Sequence, residues 1–111
     1  MYQNIKFLEG KKIILRDPEV GRFIGSITYA DESSNTERDL FGDYKYKAML
    51  DLSETTNARI DDINPYVVLF KDDNDVESFV KGNSVSILFY WYINLNGEVR
   101  TANSTGSIKL R

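Results

Sequence analysis

Residues 84–94 read SVSILFYWYIN, and 95–98 continue as LNGE. A period of two divides the first stretch cleanly. Val85, Ile87, Phe89, Trp91 and Ile93 share one face, and Ser86, Leu88, Tyr90, Tyr92 and Asn94 share the other. A wholly apolar face opposite a mixed one marks a strand that covers a core. Asn96-Gly97 is the strongest short hairpin signal, because both central residues of that turn need positive φ. Residues 98–102 then return as a strand, and 107–110 end the chain as another short one.

The same reading extends upstream. Residues 75–81 predict a helix capped by Asp75, with Val76, Phe79 and Val80 at helical spacing and Gly82 at its close. Residues 66–71, YVVLFK, are almost wholly apolar, as in a strand covered on both faces. Residues 44–52 alternate, with Tyr44, Tyr46, Ala48, Leu50 and Leu52 facing Lys45, Lys47, Met49 and Asp51 across the strand. The polar stretches 31–43 and 53–65 read as exposed connections, the second with a helical turn near 57–60. Residues 21–30 form a run in which Phe23, Ile27 and Tyr29 share a face and Gly25 marks a bulge or bend. Residues 12–15 open the series, stopped by Asp17-Pro18.

This order predicts one all-β domain over 1–111: a five- to six-stranded Greek-key barrel of the OB-fold type with one short helix. Its first strand would be the long, bent element 13–30. A small β-sandwich or an SH3-like barrel is the alternative.

Composition narrows the chemistry. The chain has 111 residues, enough to bury a core without staples, with 41% hydrophobic and 28% charged residues. Cysteine and histidine are both absent. That removes disulfides, thiol catalysis, histidine base chemistry and the usual zinc sites. No Gly-rich phosphate loop stands in the sequence, and no pair of acids is singled out for glycoside hydrolysis. The string KDDNDVE at 71–77 lacks the glycine and spacing of an EF-hand loop and reads as a helix entry. A non-enzymatic protein without cofactor or metal is expected. The longest apolar stretch, 87–93, is too short to span a bilayer, and MYQNIKFLEGKK at the start shows no leader pattern. A cytoplasmic protein is therefore expected, with no membrane partner.

The net charge is −3, but it is unevenly placed. Residues 61–77 set Lys71 against Asp61, Asp62, Asp72, Asp73, Asp75 and Glu77, a net of −5. Residues 78–111 set Lys81, Arg100, Lys109 and Arg111 against Glu98, a net of +3. Acidity sits in one middle segment, leaving room for a basic patch elsewhere.

Several quoted elements together resemble the single-stranded DNA-binding proteins of bacteria, phages and plasmids. They are Tyr66-Val67-Val68-Leu69-Phe70, the helix over 76–80, Lys81-Gly82, Val85-Ser86-Ile87, Asn96-Gly97-Glu98-Val99-Arg100 and Ser107-Ile108. Ile13-Ile14-Leu15 before Arg16-Asp17-Pro18-Glu19 is similar to the family's opening strand and its Asp-Pro-Glu turn. Two departures stand out. Leu88-Phe89-Tyr90 replaces the glycine usual after the family's Val-x-Val, and the chain closes on Lys109-Leu110-Arg111 instead of an acidic, partner-binding tail. The resemblance implies an OB-fold, single-stranded DNA binding, a role in DNA replication and a minimal version from a phage or mobile element.

Binding a single strand needs cations for phosphates and exposed aromatic rings for bases. The candidates are Lys45 and Lys47 on the polar face of their strand, Tyr90 and Tyr92 opposite the apolar face, and Arg22, Lys71 and Arg100. Each has a structural alternative: the lysines blunt an exposed strand, and the tyrosines pack under a loop or in a dimer. Lys11 and Lys12 read as a solvated basic pair, and Trp91, on the apolar face, as a core residue. The expected partner is single-stranded DNA or RNA, bound by a homo-oligomer. A protein-interaction module, such as a phage-type inhibitor with an acidic surface, is the first alternative. A carbohydrate-binding β-sandwich is the second.

Overall fold

The computed structural model describes residues 5–18, 21–52 and 66–111. Six strands are present: β1 (Lys12–Asp17), β2 (Gly21–Glu32), β3 (Tyr46–Asp51), β4 (Tyr66–Phe70), β5 (Val85–Leu95) and β6 (Glu98–Leu110). They form a closed antiparallel barrel in sequential order, with β6 returning to pair with β1. The all-β barrel is as expected. Its up-and-down order replaces the expected Greek key, because each strand pairs with its neighbours in the chain. The stretch 13–30 is accordingly two strands in a hairpin, with Arg16 opposite Arg22 and Asp17 opposite Gly21. Likewise 98–102 and 107–110 belong to one strand of 13 residues.

Among the described residues two α-helices accompany the barrel where one was expected. Helix α1 (Asn35–Phe41) lies inside the stretch read as a loop. Ser34 caps it: the Glu37 amide donates to Ser34 Oγ at 3.1 Å, and the Ser34 amide donates to Glu37 Oε1 at 2.8 Å. This reciprocal box satisfies two amides that a helix start leaves open and contributes about 1 kcal/mol. Helix α2 (Asp73–Val80) begins earlier than expected, because Asp72 and not Asp75 is its cap; the Asp75 amide donates to Asp72 at 2.9 Å. The helical turn expected near 57–60 lies outside the described residues.

The interior follows the period-two reading. Ile13, Leu15, Phe23, Ile27, Tyr46, Ala48, Leu50, Val68, Phe70, Val85, Ile87, Phe89 and Ile108 point inward and are buried. Leu8 and the α2 residues Val76 and Phe79 belong to the same cluster, with Phe79 set against Phe70 at 5.3 Å between ring centroids. Trp91 packs on the cluster half-buried, stacked on Phe89 at 5.6 Å. Tyr29 departs from the pattern. A register shift between Ile27 and Tyr29 inserts one residue, so Ala30 is buried and Tyr29 is exposed. The bulge, at Thr28, is thus three residues beyond Gly25. Gly25 instead marks a close approach: a Cβ there would stand 2.1 Å from the Asp51 carbonyl oxygen.

A second apolar cluster lies outside the barrel. Val67, Leu69, Leu88 and Tyr90 face outward from β4 and β5 and are covered by Phe41, Tyr44 and Met49. That cover explains why all five residues of β4 are buried. Beyond Tyr90 the sheet thins. Among the described residues, 91–95 and 98–102 pair only with each other, through the turn at Asn96 (φ 54°) and Gly97 (φ 83°). The result is a two-stranded ribbon projecting from the barrel. Among the described residues, no helix is long and apolar enough to cross a membrane.

Candidate functional site

The outer face of the barrel carries a concavity of about 840 Å³, within the range of ligand-binding pockets. Strand register builds one wall of it. Arg16 of β1 lies opposite Arg22 of β2 and opposite Ser107 of β6, which lies opposite Ser86 of β5. Four strands thus present a row of two guanidinium groups and two hydroxyls, spanning about 15 Å at the usual strand spacing. Thr105 adds a hydroxyl on the same face, and Lys71, Tyr44 and Asp75 contribute the facing wall. Between Thr105 and Ser107, Gly106 is required: a Cβ there would meet the Arg16 carbonyl oxygen at 2.2 Å.

The electrostatics of this groove are unusual. Like charges placed directly opposite on neighbouring strands repel. Neither Arg16, Arg22 nor Lys71 has an ion-pair partner among the described residues. Two carboxylates border the groove. Asp17 is buried, close enough that its charge, after the effect of burial, pushes the Tyr66 hydroxyl above its ordinary range. Burial first and the neighbouring Asp72 second push the Asp75 carboxyl up, against the pull of Lys71. The groove therefore sets three cations without an ion-pair partner among the described residues against two bordering carboxylates, and the charged form of one of these, Asp75, is disfavoured. It suits an anion, and its row of hydroxyls can bond further oxygens.

A smaller concavity of about 340 Å³ adjoins it, lined by Arg38, Asp43, Tyr44, Lys45 and Lys71. Tyr44 and Lys71 line both.

The structure sorts the residues singled out from the sequence. Arg22 and Lys71 lie in the groove, and Lys45 borders the smaller concavity. Lys45 is engaged, however: its Nζ donates to Asp73 at 3.1 Å, which holds the ammonium above its ordinary pKa. Tyr46 also donates to Asp73, so strand β3 is tied to the start of α2. Lys47 pairs with Glu37 at 3.4 Å. Arg100 pairs with Glu98 at 2.8 Å on the ribbon. Tyr90 does face outward, but α1 covers it. It is only 5% exposed, its ring stacks on Phe41 at 4.7 Å, and its hydroxyl donates to Glu37 at 2.5 Å. No ring face is left for a base. Burial, then the bond to Glu37, raise the Tyr90 pKa far above the usual phenol value. Tyr92 is 49% exposed and meets the Tyr90 ring edge-on, away from the groove residues.

Glu37 itself is 6% exposed. Burial works to raise its pKa, but the Ser34 amide, the Tyr90 and Ser34 hydroxyls and the Lys47 charge together hold the carboxyl below its ordinary range. Lys47, Glu37 and Tyr90 thus form a network that fastens α1 to the barrel.

Arg16 and Tyr44 escaped the sequence reading, as did the groove hydroxyls of Ser86, Thr105 and Ser107. Arg16 was legible in RDPEVGR (16–22), where a hairpin sets the two arginines symmetrically about Glu19. Treating 13–30 as one bent strand hid that pairing. Tyr44 was counted inward with Tyr46, but the strand begins only at Tyr46. Among the described residues, no group of three or more acids is placed to hold a metal ion.

Fold and groove together define a small closed β-barrel with an outward-facing cationic groove. No protein-family model, curated protein or solved structure matches the chain.

Proposed function

We propose that this protein binds single-stranded nucleic acid, DNA in the first place, without catalysing a reaction, and that the Arg16–Arg22–Lys71 groove takes the phosphates. The observation that carries this reading is the cross-strand Arg16–Arg22 pair. Two facing guanidinium groups without a carboxylate partner among the described residues cost stability in the free protein, and an anion between them removes that cost. A concavity of about 840 Å³ has room for a few nucleotides of one strand. Its hydroxyls and Tyr44 offer contacts to sugar and base that a bare cationic patch lacks. A chain free of cysteine suits the cytoplasmic setting of such a ligand.

The test is fluorescence anisotropy with labelled oligo-dT at several salt concentrations. Three phosphate contacts on a single strand predict a slope of about −2 in log affinity against log salt. Weaker binding to duplex of the same length is expected. Absence of oligo-dT binding at low salt overturns the proposal.

A second reading, a protein-interaction module or homo-oligomer, rests on the ribbon, where Tyr92, Leu95 and Val99 are exposed. Light scattering during size-exclusion chromatography tests self-association. A monomer that also fails to bind oligo-dT directs the search to a different protein partner.

A further inference from the structure

The two concavities share Tyr44 and Lys71 in their linings. Resting on the reading above, we infer that the bound strand leaves the Arg16–Arg22 groove, crosses Tyr44 beside Lys71, and enters the smaller concavity to reach Arg38 on helix α1. Three observations support this path.

The first is the far cation. Arg38 is exposed, lines the smaller concavity and has no ion-pair partner among the described residues. Its Nε donates to Ser33 Oγ at 3.1 Å, which orients the guanidinium while leaving both terminal nitrogens for a phosphate. Lys45 is not that cation, because Asp73 holds it. The second is the saddle. The Tyr44 ring packs on the outer apolar cluster on one side and lines both concavities with the rest of its surface. A half-buried ring of this kind is a ready platform for one base. The third is rigidity at the crossing. The Tyr44 amide donates to the Gly42 carbonyl at 2.8 Å, its carbonyl accepts from Ser33 Oγ, and the next amide, Lys45, donates to the Phe70 and Lys71 carbonyls at 2.9 and 3.1 Å. Ser33 thereby orients both Arg38 and Tyr44, so the two contacts are set in place before the ligand arrives. Asp43 on the smaller concavity is the opposing charge and keeps the far end a weaker grip than the groove.

The ligand is therefore a chain of several nucleotides and not a mononucleotide or a lone phosphate. The experiment is an oligo-dT length series, from the dinucleotide upward, on the wild-type protein, Arg38→Ala, Tyr44→Phe and Tyr44→Leu, with melting curves to verify folding. Wild-type affinity is expected to rise with length and level off beyond about four nucleotides. Arg38→Ala should leave the dinucleotide unaffected, weaken the longest oligomer about five- to tenfold, and reduce its salt slope by about 0.7. Tyr44→Leu should weaken the longer oligomers by a similar factor, and Tyr44→Phe should bind them as the wild type does. The path is overturned if Arg38→Ala binds every length like the wild type while the loss of Arg16 and Arg22 still weakens binding; the groove reading then survives alone. Wild-type protein that binds no oligomer overturns both.

Discussion

Two patches on the outside of one barrel are built from the same kinds of residue and end differently. On β3, β4 and β5, Lys47, Leu69, Leu88 and Tyr90 face outward and are roofed by α1, where Glu37 receives both the lysine and the tyrosine hydroxyl. On β1, β2, β5 and β6, Arg16, Arg22, Ser86 and Ser107 face outward, and among the described residues no helix roofs them and the two arginines have no ion-pair partner. Strand alternation assigns a side chain to the inner or outer face. It does not say which part of the outer face another element will cover. A cation under cover must be matched by a carboxylate, since an unpaired buried charge costs several kcal/mol. A cation left in the open can wait for a ligand.

The sharpest way to break this contrast is to empty the groove. Arg16→Ala with Arg22→Ala should weaken oligo-dT binding about 100-fold at low salt, as the loss of two charge-assisted contacts. The melting temperature should hold or rise slightly, because the change also removes a repulsion. Anisotropy and a thermal melt check the two halves. The roofed patch should respond the opposite way. Glu37→Gln should cost about 1–2 kcal/mol of stability through the lost charge toward Lys47 and Tyr90, with binding intact in the folded fraction. The Glu37 carboxyl lies below its unfolded-state pKa. Its contribution is therefore complete above the unfolded value and is lost as pH falls through the folded value. Urea melts at pH 7 and below about pH 4 should show the variant losing less stability on acidification than the wild type.

Two smaller effects sharpen the comparison. Asp75→Asn removes an acid from the groove and should strengthen oligo-dT binding about two- to threefold at low salt. An unchanged affinity would remove Asp75 from the ligand's surroundings. Lys45→Ala with Lys47→Ala should cost about 1 kcal/mol or less and leave the salt slope unchanged, because both lysines already serve Asp73 and Glu37. A flattened slope would return them to the binding surface.

The sequence reading reached as far as local signals go. The alternation at 84–94 and the Asn96-Gly97 turn gave the longest hairpin, and the runs at 12–15, 21–30, 44–52, 66–71 and 84–94 each fall in a strand of the barrel, while 98–102 and 107–110 merge into the sixth. Helix α1 was missed although Ser34-x-x-Glu37 is a capping-box pattern, because the polar composition of 31–43 outweighed four residues within it. Tyr29 was assigned to the wrong face because a single inserted residue reverses every side chain beyond it. The order of strands, the roof over Tyr90 and the Arg16–Arg22 pair were less accessible. Each depends on contacts between segments far apart in the chain, or on seeing a turn where a continuous strand was assumed.

The projecting ribbon has a consequence for motion. Among the described residues its amides are held by one partner strand, and a two-stranded sheet alone is at best marginally stable in water. Residues 91–95 and 98–102 should therefore open to deuterium exchange by local separation, while the amides of β1 to β4, each strand flanked on both sides, wait for the whole barrel to unfold. The molecule has two exchange clocks built into one sheet, and the faster one runs in the strand whose first half anchors the core.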